Sequence, residues 1–163
     1  MTQVFLSLGS NKGDRLSNIN NAVENIGNSI GEIINVSEVF ETKSWGYDDF
    51  DYLNIVVMTK TLLSPKSLLA KTQRIEKELG RKTKSYKQGE NVVYRAREID
   101  IDILFFGNKI INSRNLTVPH PLLHLRSFVL EPLLQVAPGF IHPVFNLSIK
   151  ELEQNINQLR QDL

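Results

Sequence analysis

Apolar and polar positions change period several times along the chain, and each change marks an element. Residues 3–8 (QVFLSL) form a short apolar run bounded by Gly9-Ser10-Asn11-Lys12-Gly13, the pattern of a buried strand closed by a turn. Leu16, Ile19, Val23 and Ile26 then recur at helical spacing, and Gly27 is the expected stop. A second strand is expected over 33–41 (IINVSEVFE) and a third over about 52–61 (YLNIVVMTKT). The loop between them carries Trp45, Gly46 and three acids.

Ser64-Pro65 supplies an N-cap followed by proline at the first helical position, so a helix should run to Leu79 and end at Gly80. Residues 81–96 have weak periodicity and several cations, which reads as a long exposed loop. A fourth strand is expected over about 98–106, meeting a short fifth through Gly107-Asn108, a two-residue hairpin signal. LTVPHPLL (116–123) is irregular and punctuated by proline. A helix follows over about 126–135, with Pro132 limiting where it can begin. Ser148 and Glu151 have capping-box spacing for a last helix reaching about Arg160.

The order β-α-β-β-α-β-β-α-α separates strand pairs by helices. It favours an α+β fold, an antiparallel sheet with helices laid on it in the split βαβ manner. No repeat, linker or low-complexity tract divides the 163 residues, so one domain is expected over 1–163.

Composition narrows the function classes. Nineteen Lys and Arg against 18 acids leave a net charge of +1, so any grip on phosphate must come from local clusters, not from a global field. The absence of cysteine excludes disulfides, thiolate ligands and a Cys nucleophile. His120, His124 and His142 lack the paired spacing of a zinc site. The N-terminal run has no basic head, and no segment approaches membrane-spanning length; a cytoplasmic protein is expected.

The densest chemistry lies in Arg97-Glu98-Ile99-Asp100-Ile101-Asp102-Ile103-Leu104-Phe105. Strand alternation should put Ile99, Ile101, Ile103 and Phe105 on a core face and Glu98, Asp100 and Asp102 on the other. Two carboxylates at i and i+2 lie ~7 Å apart along the backbone, close enough to grip one Mg²⁺ or to bridge two. A solvated acidic strand face is the plain alternative, but adjacent like charges on one face repel unless a cation neutralises them. Arg81, Lys82, Lys84, Lys87, Arg95 and Arg97 lie close in sequence and could hold phosphate oxygens; as a run, they could equally be a solvated loop. Gly9-Ser10-Asn11-Lys12-Gly13-Asp14 lacks the Gly-Lys-Ser/Thr ending of a phosphate loop and reads as a structural turn. Gln73 and Glu76 share a helix face, and Tyr52 and Asn54 share a strand face, which suits a flat heterocycle.

Together these strings resemble the 6-hydroxymethyl-7,8-dihydropterin pyrophosphokinases of folate synthesis. The shared motifs are FLSLGSN with GD at 13–14, FET at 40–42, DYLN at 51–54, TQRIEKELGR at 72–81, R-x-x-D-I-D-I at 97–103, FGN at 106–108 and LTVPHP at 116–121, followed by Arg126 and Phe128. They occur in family order from residue 5 to about 138.

The resemblance implies a ferredoxin-like α/β/α sandwich with ATP as co-substrate. It implies that Asp100 and Asp102 bind two Mg²⁺ ions and that Arg81 and Arg97 act on the phosphates during transfer. It further implies a nucleotide site of Gln73, Glu76, Tyr94, Arg97, Ile103, Thr117, His120 and Arg126. The pterin would be held by Thr42, Trp45, Tyr52, Asn54 and Phe128, with Tyr52 and Phe128 on its two faces. The expected partners are small molecules, with no nucleic acid or membrane, and the expected state is a monomer. Rival readings are a nucleotidyltransferase or nuclease using the same aspartates, and an RNA-binding module; the acids on strand 98–104 oppose the last.

Overall fold

The computed structural model describes residues 1–43, 51–80, 85–88, 91–94 and 98–161, the backbone alone for 85–88, 91–94 and 159–161. Its main sheet contains β1 (Thr2–Ser10), β2 (Gly31–Val36), β3 (Phe40–Thr42), β4 (Tyr52–Thr61) and β7 (Asp100–Phe106). The strand order is β2-β4-β1-β7, with β3 also on β4, and every pairing is antiparallel. With α1 (Arg15–Ser29) between β1 and β2 and α2 (Pro65–Glu78) between β4 and β7, this is the ferredoxin-like βαββαβ order.

Both faces of the sheet are covered. Val4, Leu6, Leu8, Ile55, Val57, Ile101 and Ile103 meet Ile19, Ala22 and Ile26 of α1 and Leu68 and Ile75 of α2 in one core. Phe5, Val56, Leu104 and Phe105 meet α3 (Ser127–Val136) and α4 (Ile149–Gln161) in a second. Parity therefore assigns β1 side chains to two layers, as period-2 geometry requires.

Strand β7 departs from simple alternation. Phe5 pairs with Phe105 but Leu6 pairs with Ile103, so Leu104 is an extra residue, a β-bulge. Ile99, Ile101 and Ile103 face the first core as expected; Phe105 does not join them, because the bulge turns Leu104 and Phe105 together into the second core and returns Phe106 to the first.

Other expectations are corrected by local contacts. Helix α1 runs through Gly27 to Ser29. Its C-cap is Ile30, and Gly31 opens β2, where a Cβ would lie 1.9 Å from the Lys60 carbonyl oxygen, a contact only glycine allows. The single strand expected over 33–41 is two, because Ser37 exchanges bonds with Val56 (N–H to O, 3.0 Å; Oγ accepting the Val56 amide, 2.9 Å) between β2 and β3. Helix α2 follows its signals: Ser64 Oγ accepts the Ser67 amide at 3.2 Å, and Gly80 leaves the helix at φ +109. Within the expected loop at 81–96, β5 (Ser85–Gln88) and β6 (Asn91–Tyr94) form a two-stranded antiparallel sheet.

Gly107 turns the chain, but β8 (Ile111–Asn112) pairs with β9 (Thr117–Val118), not with β7. The Val118–Pro119 peptide is cis. Pro132 lies inside α3 and is buried in the second layer. The capping box forms reciprocally: Ser148 N–H donates to Glu151 Oε2 at 3.2 Å and Glu151 N–H donates to Ser148 Oγ at 3.1 Å. Between α3 and α4, the Nδ1 of buried His142 accepts the amides of Val144 (3.1 Å) and Phe145 (3.2 Å). Burial, and after it the nearby His124, lower the His142 pKa to about 4. Among the described residues no helix is long and apolar enough to cross a membrane.

Candidate active site

The second sheet face is apolar at one end and polar at the other. Phe5 pairs with Met58 and Phe105 beneath α3 and α4; one step along, Ser7 pairs with Val56 and Asp102. The next row runs Phe40–Asn54–Gly9–Asp100 across four strands, and Thr42 pairs with Tyr52 beyond it. Directly opposed residues share a face, so the carboxylates and the polar pair Thr42 and Asn54 belong to one surface, with Gly9 between them.

Each half of this surface is locally ordered. Asn54 is 4 % exposed and donates its amide to Thr42 Oγ1 at 2.8 Å and to the Phe40 carbonyl at 3.5 Å. The Tyr52 ring leans over Gly9: a Cβ there would lie 3.4 Å from Tyr52 Cδ1 and 3.3 Å from Asn54 Oδ1. Asp100 and Asp102 are half-buried, with Ile101 between them in the core. From α2, Glu76, 5 % exposed, accepts the Ile101 amide at 3.4 Å on the outer edge of β7. Glu98 pairs with Lys12 at 3.4 Å and lies beside Gly80.

The remaining expected nucleotide residues are spread over α2, β7, β9 and the segment leading into α3. His120 donates its backbone N–H to the Leu104 carbonyl at 2.9 Å, and its Nδ1 accepts the Leu122 amide at 3.2 Å. Ile103 is 5 % exposed, with its side chain packed in the first core. Thr117 is exposed on β9. Gln73 is exposed on α2 beside an open depression of about 680 Å³ lined by Ala70, Arg74, Lys77 and Glu78, which holds neither aspartate. Arg126 precedes α3 and its guanidinium lies 5.6 Å from the centre of the Phe128 ring, itself packed on the second core. Trp45, Arg81 and Arg97 lie outside the described residues, and Tyr94 is described by its backbone in β6.

Sequence reasoning set aside the turn after β1 as structural. Extending β1 to Ser10 brings Gly9 and Ser7 opposite the aspartates, and the parity of residues 5, 7 and 9 was the signal for it.

Paired carboxylates on the polar end of a ferredoxin-like sheet suit metal-assisted phosphoryl transfer, one of several chemistries that this fold hosts. Residues 5–138 match the model of the 7,8-dihydro-6-hydroxymethylpterin-pyrophosphokinase (HPPK) family. Over 154 residues the chain is 43% identical to a 2-amino-4-hydroxy-6-hydroxymethyldihydropteridine pyrophosphokinase of Aquifex aeolicus, covering 94% of this chain and 91% of the relative. A Porphyromonas gingivalis protein of the same name is 42% identical, covering 88% and 95%. Among solved structures, a Plasmodium falciparum HPPK-DHPS chain superposes with a TM-score of 0.77 at 17% identity, over 99% of this chain and 44% of that one. The chain belongs to the HPPK family and is a pyrophosphokinase.

Proposed function

We propose that the protein transfers the pyrophosphoryl group of ATP to the hydroxymethyl group of 6-hydroxymethyl-7,8-dihydropterin, aided by two Mg²⁺ ions at Asp100 and Asp102. The observation that carries this reading is the row Asn54–Gly9–Asp100, which sets a polar surface beside a carboxylate pair.

The carboxylates suit the ion. Mg²⁺ takes hard oxygen ligands and commonly uses one or two carboxylates completed by water and substrate phosphates. Two carboxylates supply fewer oxygens than such ions take, so water and the triphosphate would complete their coordination. When bound, the metal would neutralise phosphate charge and lower the pKa of the attacking hydroxyl.

The chain's own work is binding and alignment. Thr42 and Asn54 order one another and would meet the polar edge of the pterin, while Tyr52 and Phe128 would bracket its faces. The hydroxymethyl oxygen attacks the β-phosphorus, a new O–P bond forms, the bond between the α,β-bridging oxygen and the β-phosphorus breaks, and AMP leaves as the hydroxyl proton passes to solvent. Arg81 and Arg97 would balance the charge on the moving group. Gln73, Glu76, Tyr94, Ile103, Thr117, His120 and Arg126 would surround the nucleotide along β7 and its neighbours. Trp45 would complete the pterin site, and the protein would work as a cytoplasmic monomer on small molecules alone.

The test is product analysis with ATP, Mg²⁺ and the dihydropterin. AMP and a pterin pyrophosphate should appear together and vanish when either Mg²⁺ or pterin is withheld; ADP as product would overturn the reading.

A further inference from the structure

Arg15 opens α1, outside every group assigned above to a substrate. Because α1 covers the first sheet face, Arg15 approaches from the side opposite Thr42, Tyr52 and Asn54. Its Nη1 donates to Glu41 Oε1 at 3.2 Å and to the Asp51 carbonyl at 2.6 Å. Glu41 immediately precedes Thr42, Asp51 immediately precedes Tyr52, and Thr42 and Tyr52 are register partners. One cation thus spans β3 and β4 a single residue behind the polar pair.

The bracket is itself held in place. Asp14 caps α1 by accepting the Ser17 amide at 3.1 Å. Asn18 donates to the Lys12 carbonyl at 2.9 Å and to Ser10 Oγ at 3.3 Å, fixing the turn from which Arg15 extends. Strand β3 has only three residues, so few ladder bonds set its place on β4, and an outside tie counts for more. An exposed ion pair alone would matter little. Here the Arg15 side chain is 28% exposed, and one of its two acceptors is the backbone of the chain entering β4.

We propose that Arg15 is a positioning residue for the pterin: it braces β3 against β4 from behind the sheet and so sets the spacing of Thr42, Tyr52 and Asn54. It touches no substrate. This rests on the assignment of those three residues to the pterin.

The test compares Arg15→Ala, Arg15→Lys and Asn54→Ala in the full chain. It measures the Kd of 6-hydroxymethyl-7,8-dihydropterin, the Kd of a non-hydrolysable ATP analogue, kcat, KM and Tm. Arg15→Ala should raise the pterin Kd and KM roughly tenfold, since a small misplacement of binding groups is costly. The ATP-analogue Kd and the Tm should stay near wild type, and Arg15→Lys should recover part of the loss by reaching one acceptor. An unchanged pterin Kd in folded Arg15→Ala overturns the proposal, as does equal weakening of both ligands. If the alanine variant does not fold, Arg15→Lys must show the selective pterin loss or the proposal falls. Asn54→Ala separates bracing by Arg15 from the pterin assignment itself. If it weakens pterin and the Arg15 variants do not, bracing alone is wrong; if it leaves pterin binding unchanged, the pterin assignment fails and bracing with it.

Discussion

Asn54 gives its side-chain amide to Thr42 Oγ1 at 2.8 Å, joining β4 to β3 through side chains as well as backbone. Two groups proposed to meet the pterin are therefore ordered by each other before a ligand arrives, and less ordering remains to be done on binding. In Thr42→Val the Asn54 amide keeps only the longer bond to Phe40. Stability should fall by about 1 kcal/mol, and pterin affinity should fall while that for ATP holds. Calorimetric titration of each ligand checks this.

Gly9→Ala tests the surface between the two halves. The new methyl would sit 3.3 Å from Asn54 Oδ1, which must give way slightly, and in contact with Tyr52 Cδ1 at 3.4 Å. The fold should survive with a loss of ~1 kcal/mol, the low end for overpacking, while the pterin KM rises. A wild-type KM would show that the Tyr52 ring does not need its present seat.

Asp102→Asn and Asp100→Asn alter a half-buried surface and leave Ile99, Ile101 and Ile103 in the core. Turnover should drop by about 10²-fold or more, as for loss of electrostatic stabilisation at a reacting centre, with Tm nearly unchanged. Rapid-quench assay of pyrophosphoryl transfer, set beside thermal unfolding, separates the chemical from the structural outcome.

His142, packed edge-on against Phe105 in the second layer, supplies a pH test of stability. Its native pKa is lowered from 6.5 to about 4, so between those values the unfolded chain binds a proton that the native chain does not. Stability contributed by neutral His142 is thus full above about pH 6.5 and is lost as pH falls towards 4, by up to about 3 kcal/mol. Its neutral Nδ1 receives two backbone amides, and the Phe145 ring stacks on it at 4.4 Å. His142→Asn keeps an acceptor without the titration, so denaturant unfolding of the variant should lose this part of the pH slope.

Period-2 and period-3.6 patterns made most of the framework readable in the sequence: β4 matches its expected bounds, and the caps at Ser64 and Ser148 match theirs. What stayed hidden depends on partners distant in sequence. The Leu104 bulge exists only relative to β1, and Gly31 is required only because the Lys60 carbonyl comes so close. Asp100 and Asp102 were legible as one strand face, and Tyr52 with Asn54 as another. That Gly9 would bring the two together needed the β1–β4 and β1–β7 registers, which single-strand patterns do not contain. Arg15 carried no motif signal of its own, because its role lies in reaching across to Glu41 and Asp51.

Strand β7 closes one side of the main sheet, yet its outer backbone is partly spoken for. Glu76 takes the Ile101 amide and His120 takes the Leu104 carbonyl. An open strand edge is a template on which another chain can add its own backbone, the usual beginning of aggregation. With two of its positions occupied by a side chain and a crossing segment, β7 offers a newcomer an interrupted ladder. The strand that carries the carboxylates can thus lie next to solvent and substrate as a poor template for another chain's backbone.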